Sequence, residues 1–309
     1  MTVKVPPLKC QGIKTKLAEW IKDHSTYENK GTWIEPFMGS GVVGFNVAPR
    51  RAIFADVNPH IITFYNAIKS GKITASNAKE FLEHEGSLLK KHGQEHYYKI
   101  RDRFNKNFDP FDLLFLNRAC FNGVMRFNKK GSFNVPFGHK PERFAKAYIT
   151  KITNQIKYVS QATSQFDWKF VTSDFRKVIS SASEGDFIYC DPPYIGRHVD
   201  YYNSWGEQEE LDLYESLKAT PAKFILSTWH SNKYRSNPAI EKYSYHFTIL
   251  TREHFYHVGA NEENRNPMLE AIVLNYNPFL QIDFQEAKQL SLLEKKQKEV
   301  YTLYSTPVG

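Results

Sequence analysis

Short apolar runs, most of them cut off by an acid, a glycine-rich turn or a proline, recur along this chain and constrain its fold more than any other feature. TWIEPFMGSGVVGFN (32–46) passes from an apolar start through Gly39 and Gly41 into a helix-compatible run. RAIFADVNPH (51–60) ends at Asp56, with Asn58-Pro59 closing it. DWKFVTSDF (167–175) alternates and ends at Asp174, DFIYCDPPY (186–194) stops at Asp191-Pro192-Pro193-Tyr194, and AKFILSTW (222–229) is a fifth run of the same kind. Strands separated by helical stretches cross over and lie parallel, so the pattern predicts a mainly parallel α/β sheet. LTREHFYHVG (250–259) and NPMLEAIVLNY (266–276) bracket the polar ANEENR and read as a late antiparallel hairpin.

Between Ile61 and Ile149 that rhythm breaks. Helical periodicity runs through IITFYNAIKSGK, NAKEFLEHEGSLLKK and YYKIRDRF, then FDLLFLNRACFNGVMRF leads into the loop NKKGSFNVPFGHKPERF. The expected organisation is a sheet domain in two parts, 1–60 and 150–278, a mostly helical insertion over 61–149, and a charged helical tail from 279 to 309. Charge gives the insertion a purpose. The whole chain carries a formal net charge of +8, and eleven Lys/Arg stand against four Asp/Glu between Lys99 and Lys146. Such a concentration favours a polyanionic partner. No apolar run approaches the ~18–20 residues of a membrane span. The N-terminal MTVKVPPLKCQGIK lacks the apolar core of a secretory signal. Cys10, Cys120 and Cys190 follow no metal-ligand spacing. A reducing, cytoplasmic setting in a bacterium or phage-infected host is expected.

Open parallel sheets bind ligands beyond the carboxyl ends of their strands, and three of the expected strands end in acids there: Asp56, Asp174 and Asp191. Gly39 and Gly41 let backbone come close to a ligand. An acid after the next strand suits ribose hydroxyls. The turn has neither the full G-x-G-x-x-G nor a G-K-[ST], so it suits a nucleoside without a phosphate chain, or is an ordinary strand–helix turn. Asp191-Pro192-Pro193-Tyr194 is the stronger sign. Each proline fixes φ and lacks an N–H, so the acid and the next carbonyl are rigid acceptors. They suit an amino group with two N–H donors, and Tyr194 offers a flat face to the ring bearing it.

With these residues in place, the chain resembles the Dam family (D12 class, alpha-group) of DNA adenine N6-methyltransferases, which use S-adenosylmethionine. LKCQGIKTKL near the N-terminus, EPFMGSG, NRACFNGVMRFNKKGSFNVPFG in the insertion and DPPYIGRHVDY carry the likeness, which covers about residues 4–276. The wording is most similar to EcoRV-type modification enzymes. The resemblance implies a methyltransferase sheet with an inserted target-recognition domain. It implies cofactor contacts at Cys10, where the family usually has Trp, and at Lys14, Phe37, Gly39, Gly41, Asp56, Asp174, Phe175 and Asp191. It makes Asp191, Pro192 and Tyr194 the catalytic group. Asp191 and the Pro192 carbonyl would accept the N6–H bonds, free the nitrogen lone pair and meet its developing positive charge, with no metal and no covalent intermediate.

The same resemblance implies that the adenine is flipped out of double-stranded DNA. Phe121 would fill the gap, or else belong to the core. Arg118, Asn122 and Arg126 would lie at the DNA, with Arg126 the first candidate to read a base. Lys129, Lys130, His139 and Lys140 would meet phosphates or stand solvated. His139 and Lys140 depart from the Arg and Tyr of Dam itself. A GAT-containing site follows, GATATC before GATC, in a restriction system whose endonuclease shares the site without binding the enzyme. Cytosine-N4 methylation and a DNA-binding regulator that has lost catalysis are the alternatives. Asp191 speaks against the first, because those enzymes more often have Ser there. The presence of Asp56, Asp191 and Tyr194 speaks against the second.

Overall fold

A computed structural model describes residues 2–128, 130–194, 205–255 and 267–279. Lys129, the end of the DPPYIGRHVDY motif, the hairpin tip and the expected C-terminal helix lie outside the described residues. After an N-terminal segment, the chain forms α1 (Ala18–His24), β1 (Trp33–Glu35), α2 (Val42–Val47), β2 (Arg51–Asp56) and α3 (Pro59–Lys69). The next helices are α4 (Ala75–His92), α5 (Gln94–Asn107) and α6 (Pro110–Ala119), followed by a 3₁₀ turn at Phe121–Gly123. The long α7 (Lys146–Gln165) leads back to β3 (Asp167–Thr172), α8 (Phe175–Ser180) and β4 (Phe187–Cys190). Last come α9 (Glu207–Ala219), β5 (Lys223–Asn232), α10 (Pro238–Ser244), β6 (Thr248–Phe255) and β7 (Pro267–Leu274).

The strands form one sheet in the order β3-β2-β1-β4-β5-β7-β6. The first five are parallel, as the alternation with helices predicts. β7 lies antiparallel between β5 and β6, so the expected hairpin is present and its second strand is the one that joins the sheet. This is the fold expected of an S-adenosylmethionine-dependent methyltransferase. β1 and β4 are buried along their whole length, because helices cover both faces of the sheet centre. Edge strand β3 alternates instead. The strand order reverses at β1, between β2 on one side and β4 on the other, and such a switch point opens a crevice at the carboxyl ends.

Local sequence sets the helix starts. Asn58 accepts from the His60 N–H at 3.0 Å, and Pro59 occupies the first turn of α3. Asp109-Pro110 and Asn237-Pro238 open α6 and α10 in the same way. The capping side chain satisfies an orphan N–H, and proline loses nothing where no N–H partner exists.

α3 packs on β2, β3 and α7, so it covers the sheet although the expected boundary assigns it to the insertion. The helices α4, α5 and α6 then build outward over α7. A continuous apolar core runs from Trp33, Phe54 and Trp168 at the sheet to Tyr97, Phe104 and Phe115 in these helices. Arg103 ties α4 to α6 through Glu85 at 2.9 Å and Asp112 at 2.5 Å. The helices of the expected insertion therefore share one apolar core with the sheet. Among the described residues no helix is long and apolar enough to cross a membrane.

Candidate active site and nucleic-acid interface

The loops after β1, β2, β3 and β4 converge on a cavity of about 430 Å³. The N-terminal segment closes one side with Cys10 to Lys14, and Met125 reaches in from the insertion. A drug-sized ligand needs a cleft of ~300–1,000 Å³.

The turn after β1 is fixed by a Met38 N–H bond to Ala55 O at 2.8 Å and a Gly41 N–H bond to Met38 O at 2.6 Å. Gly39 has φ 47°, a left-handed conformation that disfavours a side chain, and its N–H donates to Asp56 Oδ2 at 2.9 Å. Asn58 N–H donates to the other oxygen at 2.9 Å. Burial pushes the Asp56 carboxyl up to about 6 against the pull of these two bonds. Its oxygens keep lone pairs for two ribose hydroxyls. Gly41, at φ 75°, is left-handed as well, and a Cβ there would come within 2.8 Å of the Phe45 ring.

Asp174 caps α8 by accepting from the Arg176 N–H at 2.8 Å, and it also pairs with the Arg176 guanidinium at 2.9 Å. The Phe175 ring is buried 5.2 Å from Phe37 and 5.5 Å from Trp205, and Phe37 meets Trp205 edge-on at 5.4 Å. These three rings pack against one another and form an aromatic part of the cavity wall. Trp205 is absent from the sequence-based set. Its Nε1 donates to Glu210 Oε2 at 3.0 Å, which fixes the indole at the start of α9.

At the end of β4, Asp191 faces Lys14. The ammonium lies 2.8 Å from Oδ1 and 3.1 Å from Oδ2, and it also donates to Gly12 O at 3.0 Å. Lys14 is 4% exposed and Asp191 23%. Burial raises the Asp191 carboxyl above the usual range, Lys14 draws it back, and the nearby Glu270 charge adds to the rise. Lys14 Nζ also sits 5.0 Å from the centre of the Tyr194 ring, a cation–π distance. Pro192, Pro193 and Tyr194 line the same wall, and the Cys10 thiol, pushed up by burial and by Asp56, lies beside Gly39. Eight of the nine expected cofactor positions therefore share one cavity; Gly41 stands behind it.

A second cavity, about 410 Å³, opens beside the 3₁₀ turn of the insertion. Phe121 is 52% exposed at its rim, although a core position was the commoner alternative for a phenylalanine. The cause is local. Phe121 N–H bonds Pro136 O at 2.9 Å, Gly138 N–H bonds Ala119 O at 3.0 Å, and Asn122 turns left-handed at φ 53°, so the ring points outward. Lys140 lines this cavity with Lys9 and Arg143, two cations absent from the sequence-based set. Asn117 brings Lys9 there: its side-chain oxygen accepts from Lys9 N–H and its amide donates to Lys9 O, both at 2.8 Å. Arg126 is half-buried, its Nε donating to Asn134 Oδ1 at 2.8 Å. Lys130 and His139 are exposed.

Arg118 departs from the expectation. It is 3% exposed, and its guanidinium donates to Pro7 O at 2.8 Å and Gln155 Oε1 at 2.6 Å. These internal acceptors turn the side chain inward, so it anchors the N-terminal segment instead of facing DNA. That segment carries Lys9, Cys10 and Lys14.

Comparison with known proteins gives this arrangement its class. A family profile for D12 class N6 adenine-specific DNA methyltransferase matches residues 11–258. The chain is 33% identical over 246 residues to the Type II methyltransferase M.MjaIII of Methanocaldococcus jannaschii, covering 72% of this chain and 80% of that protein. It is 34% identical over 247 residues to the DNA adenine methylase of Haemophilus influenzae, covering 74% and 80% respectively. It is 26% identical over 285 residues to the Type II methyltransferase M1.LlaDCHI of Lactococcus lactis subsp. cremoris, covering 88% and 95%. The fold is that of a methyltransferase. The chain belongs to the D12 class of adenine-specific DNA methyltransferases, so adenine N6 is the methylated atom and the cytosine alternative falls away.

Proposed function

We propose that this enzyme flips an adenine out of double-stranded DNA and methylates it within a GAT-containing site, GATATC before GATC. In this reading it is the modification partner of a restriction endonuclease that shares the site without binding it, in the cytoplasm of a bacterium or infected host. The main support is Asp191, held by buried Lys14 at the wall of a cavity that opens at the sheet's switch point.

S-adenosylmethionine suits that cavity: Asp56 suits ribose hydroxyls, and the aromatic wall of Phe37, Phe175 and Trp205 offers a face to an adenine ring beside Asp174. Bound there, it supplies an electrophilic methyl group on a sulfonium. The rest falls to the protein. Lys14 engages both Asp191 oxygens and favours the carboxylate, which keeps lone pairs for an N6–H donor. The Pro192 carbonyl is the second acceptor. These acceptors are set before reaction, so they stabilise positive charge developing on N6 without reorganising. Tyr194 stacks on the base and holds N6 in line for attack.

In the insertion, Phe121 fills the space the adenine leaves, and Asn122 lies beside it. Lys9, Lys140 and Arg143 meet phosphates, with Lys129, Lys130 and His139 as further contacts. Arg126 reads a base edge. Single-molecule sequencing of DNA from cells expressing the gene tests the site. N6-methyladenine is expected within a GAT-containing motif; methylation confined to motifs without GAT would overturn the specificity.

A further inference from the structure

Glu270 lies on β7, in the antiparallel half of the sheet, outside the motifs that carry the family resemblance. It is 1% exposed. A carboxylate taken out of water inside a sheet is costly unless its oxygens are matched by donors. One donor is Tyr194, whose hydroxyl lies 3.2 Å from Glu270 Oε2. β7 registers Glu270 opposite Trp229 of β5 and Arg252 of β6, and a ladder irregularity follows between Trp229 and Ser231. The carboxylate thus sits on a strand held from both sides, where its own position is fixed.

Tyr194 stands beyond the end of β4. It follows two prolines, neither of which has an N–H to bond to a neighbouring strand. A ring that must stack on a base needs its plane fixed as well as its position. Lys14 bears on the ring from 5.0 Å and on Asp191 from 2.8 Å, and Glu270 bears on the ring's hydroxyl from the far end. A hydrogen bond to an ionised acceptor is roughly twice as strong as a neutral one.

We propose that Glu270 is a positioning residue for methyl transfer: it holds the Tyr194 ring, through its hydroxyl, in the plane that stacks on the target adenine. This rests on the reading of Tyr194 as the stacking face. Glu270 does not itself line the cofactor cavity, although Tyr194 does and the Glu270 charge bears on Asp191. The main loss is expected in turnover, and Glu270→Gln, which removes the charge but keeps an acceptor, separates positioning from charge.

The test is a double-variant cycle on the full chain, with tritium transfer from labelled S-adenosylmethionine to duplex DNA as the readout. Glu270→Ala is expected to lower kcat on the order of tenfold to a hundredfold, the scale of a small misplacement, with KM for the cofactor unchanged. Glu270→Gln keeps an acceptor and recovers most of the rate. Tyr194→Phe keeps the ring and removes the same bond from its other end, so adding Glu270→Ala to it costs little more. Multiplying losses in the double variant, or a wild-type kcat in Glu270→Ala, would overturn the proposal. If Glu270→Ala does not fold, Glu270→Met, which fills the space without an acceptor, takes its place in the cycle with Tyr194→Phe, and the losses must again fail to multiply. Asp191→Ala is run beside them. Activity in that variant would instead sink the assignment of the methyl-transfer site, whatever the cycle shows.

Discussion

Replacing Lys14 by methionine removes one charge from a buried pair and nearly conserves its volume. The ammonium sits 2.8 Å from Asp191 Oδ1, which at an effective dielectric near 20 corresponds to roughly 6 kcal/mol of attraction. Breaking buried pairs costs ~3–5 kcal/mol, and the 23% exposure of Asp191 puts this pair at the lower end. Without the ammonium, the Asp191 carboxyl should rise further above its already raised position. The proposed chemistry needs the carboxylate. The acid limb of the kcat/KM profile should therefore move to higher pH, with loss of activity at neutral pH and recovery in alkaline buffer. Stability changes in the same sense. A carboxyl raised on folding contributes most below its unfolded value, and that contribution drains as pH rises through the folded one. The Lys14→Met melting temperature should fall with rising pH over a wider range than the wild type's. An unshifted acid limb would refute the coupling of Lys14 to Asp191. An equal loss at every pH would place Lys14's role elsewhere.

Glu35 is 1% exposed, and burial pushes its carboxyl up to about 8, against bonds from Trp33 and Gly44. Stability held by the neutral acid is complete below the ordinary value of 4.5 and drains as pH climbs to about 8, a ceiling of ~5 kcal/mol. Glu35→Gln should flatten the pH dependence of the urea midpoint across that window; an unchanged slope would contradict it. Arg118→Leu should lose ~3 kcal/mol of stability by leaving the Pro7 and Gln155 acceptors unmatched. The salt dependence of DNA binding should keep its slope, whereas loss of a phosphate contact would lower it by about one. Arg126→Ala should relax discrimination at one base position by ~1–3 kcal/mol; full site preference in that variant would refute its role as a reader.

The strand runs were legible because each carries its own stop. Acids, prolines and the Gly39 turn fall where the crevice loops begin, and helix starts such as Asn58-Pro59 are written in adjacent residues. The placement of β7 between β5 and β6 was not, since either strand of a hairpin can pair with the sheet. Arg118 shows a sharper limit. Its residue type suits DNA and its position falls in a basic segment, but acceptors on Pro7 and Gln155, far off in sequence, bury it. Lys9, Trp205 and Glu270 escaped notice for the same reason, because Asn117, Phe175 and Tyr194 give them their meaning only in three dimensions.

The central claim is that Asp191 and its neighbours form the methyl-transfer site for adenine N6. Tritium transfer from labelled S-adenosylmethionine into duplex DNA, followed by nucleoside separation, tests it most directly. Label should appear in N6-methyladenine with the wild-type chain and vanish with Asp191→Ala folded to the same melting profile. Label in the variant, or none from a wild-type chain that binds the cofactor, would contradict it.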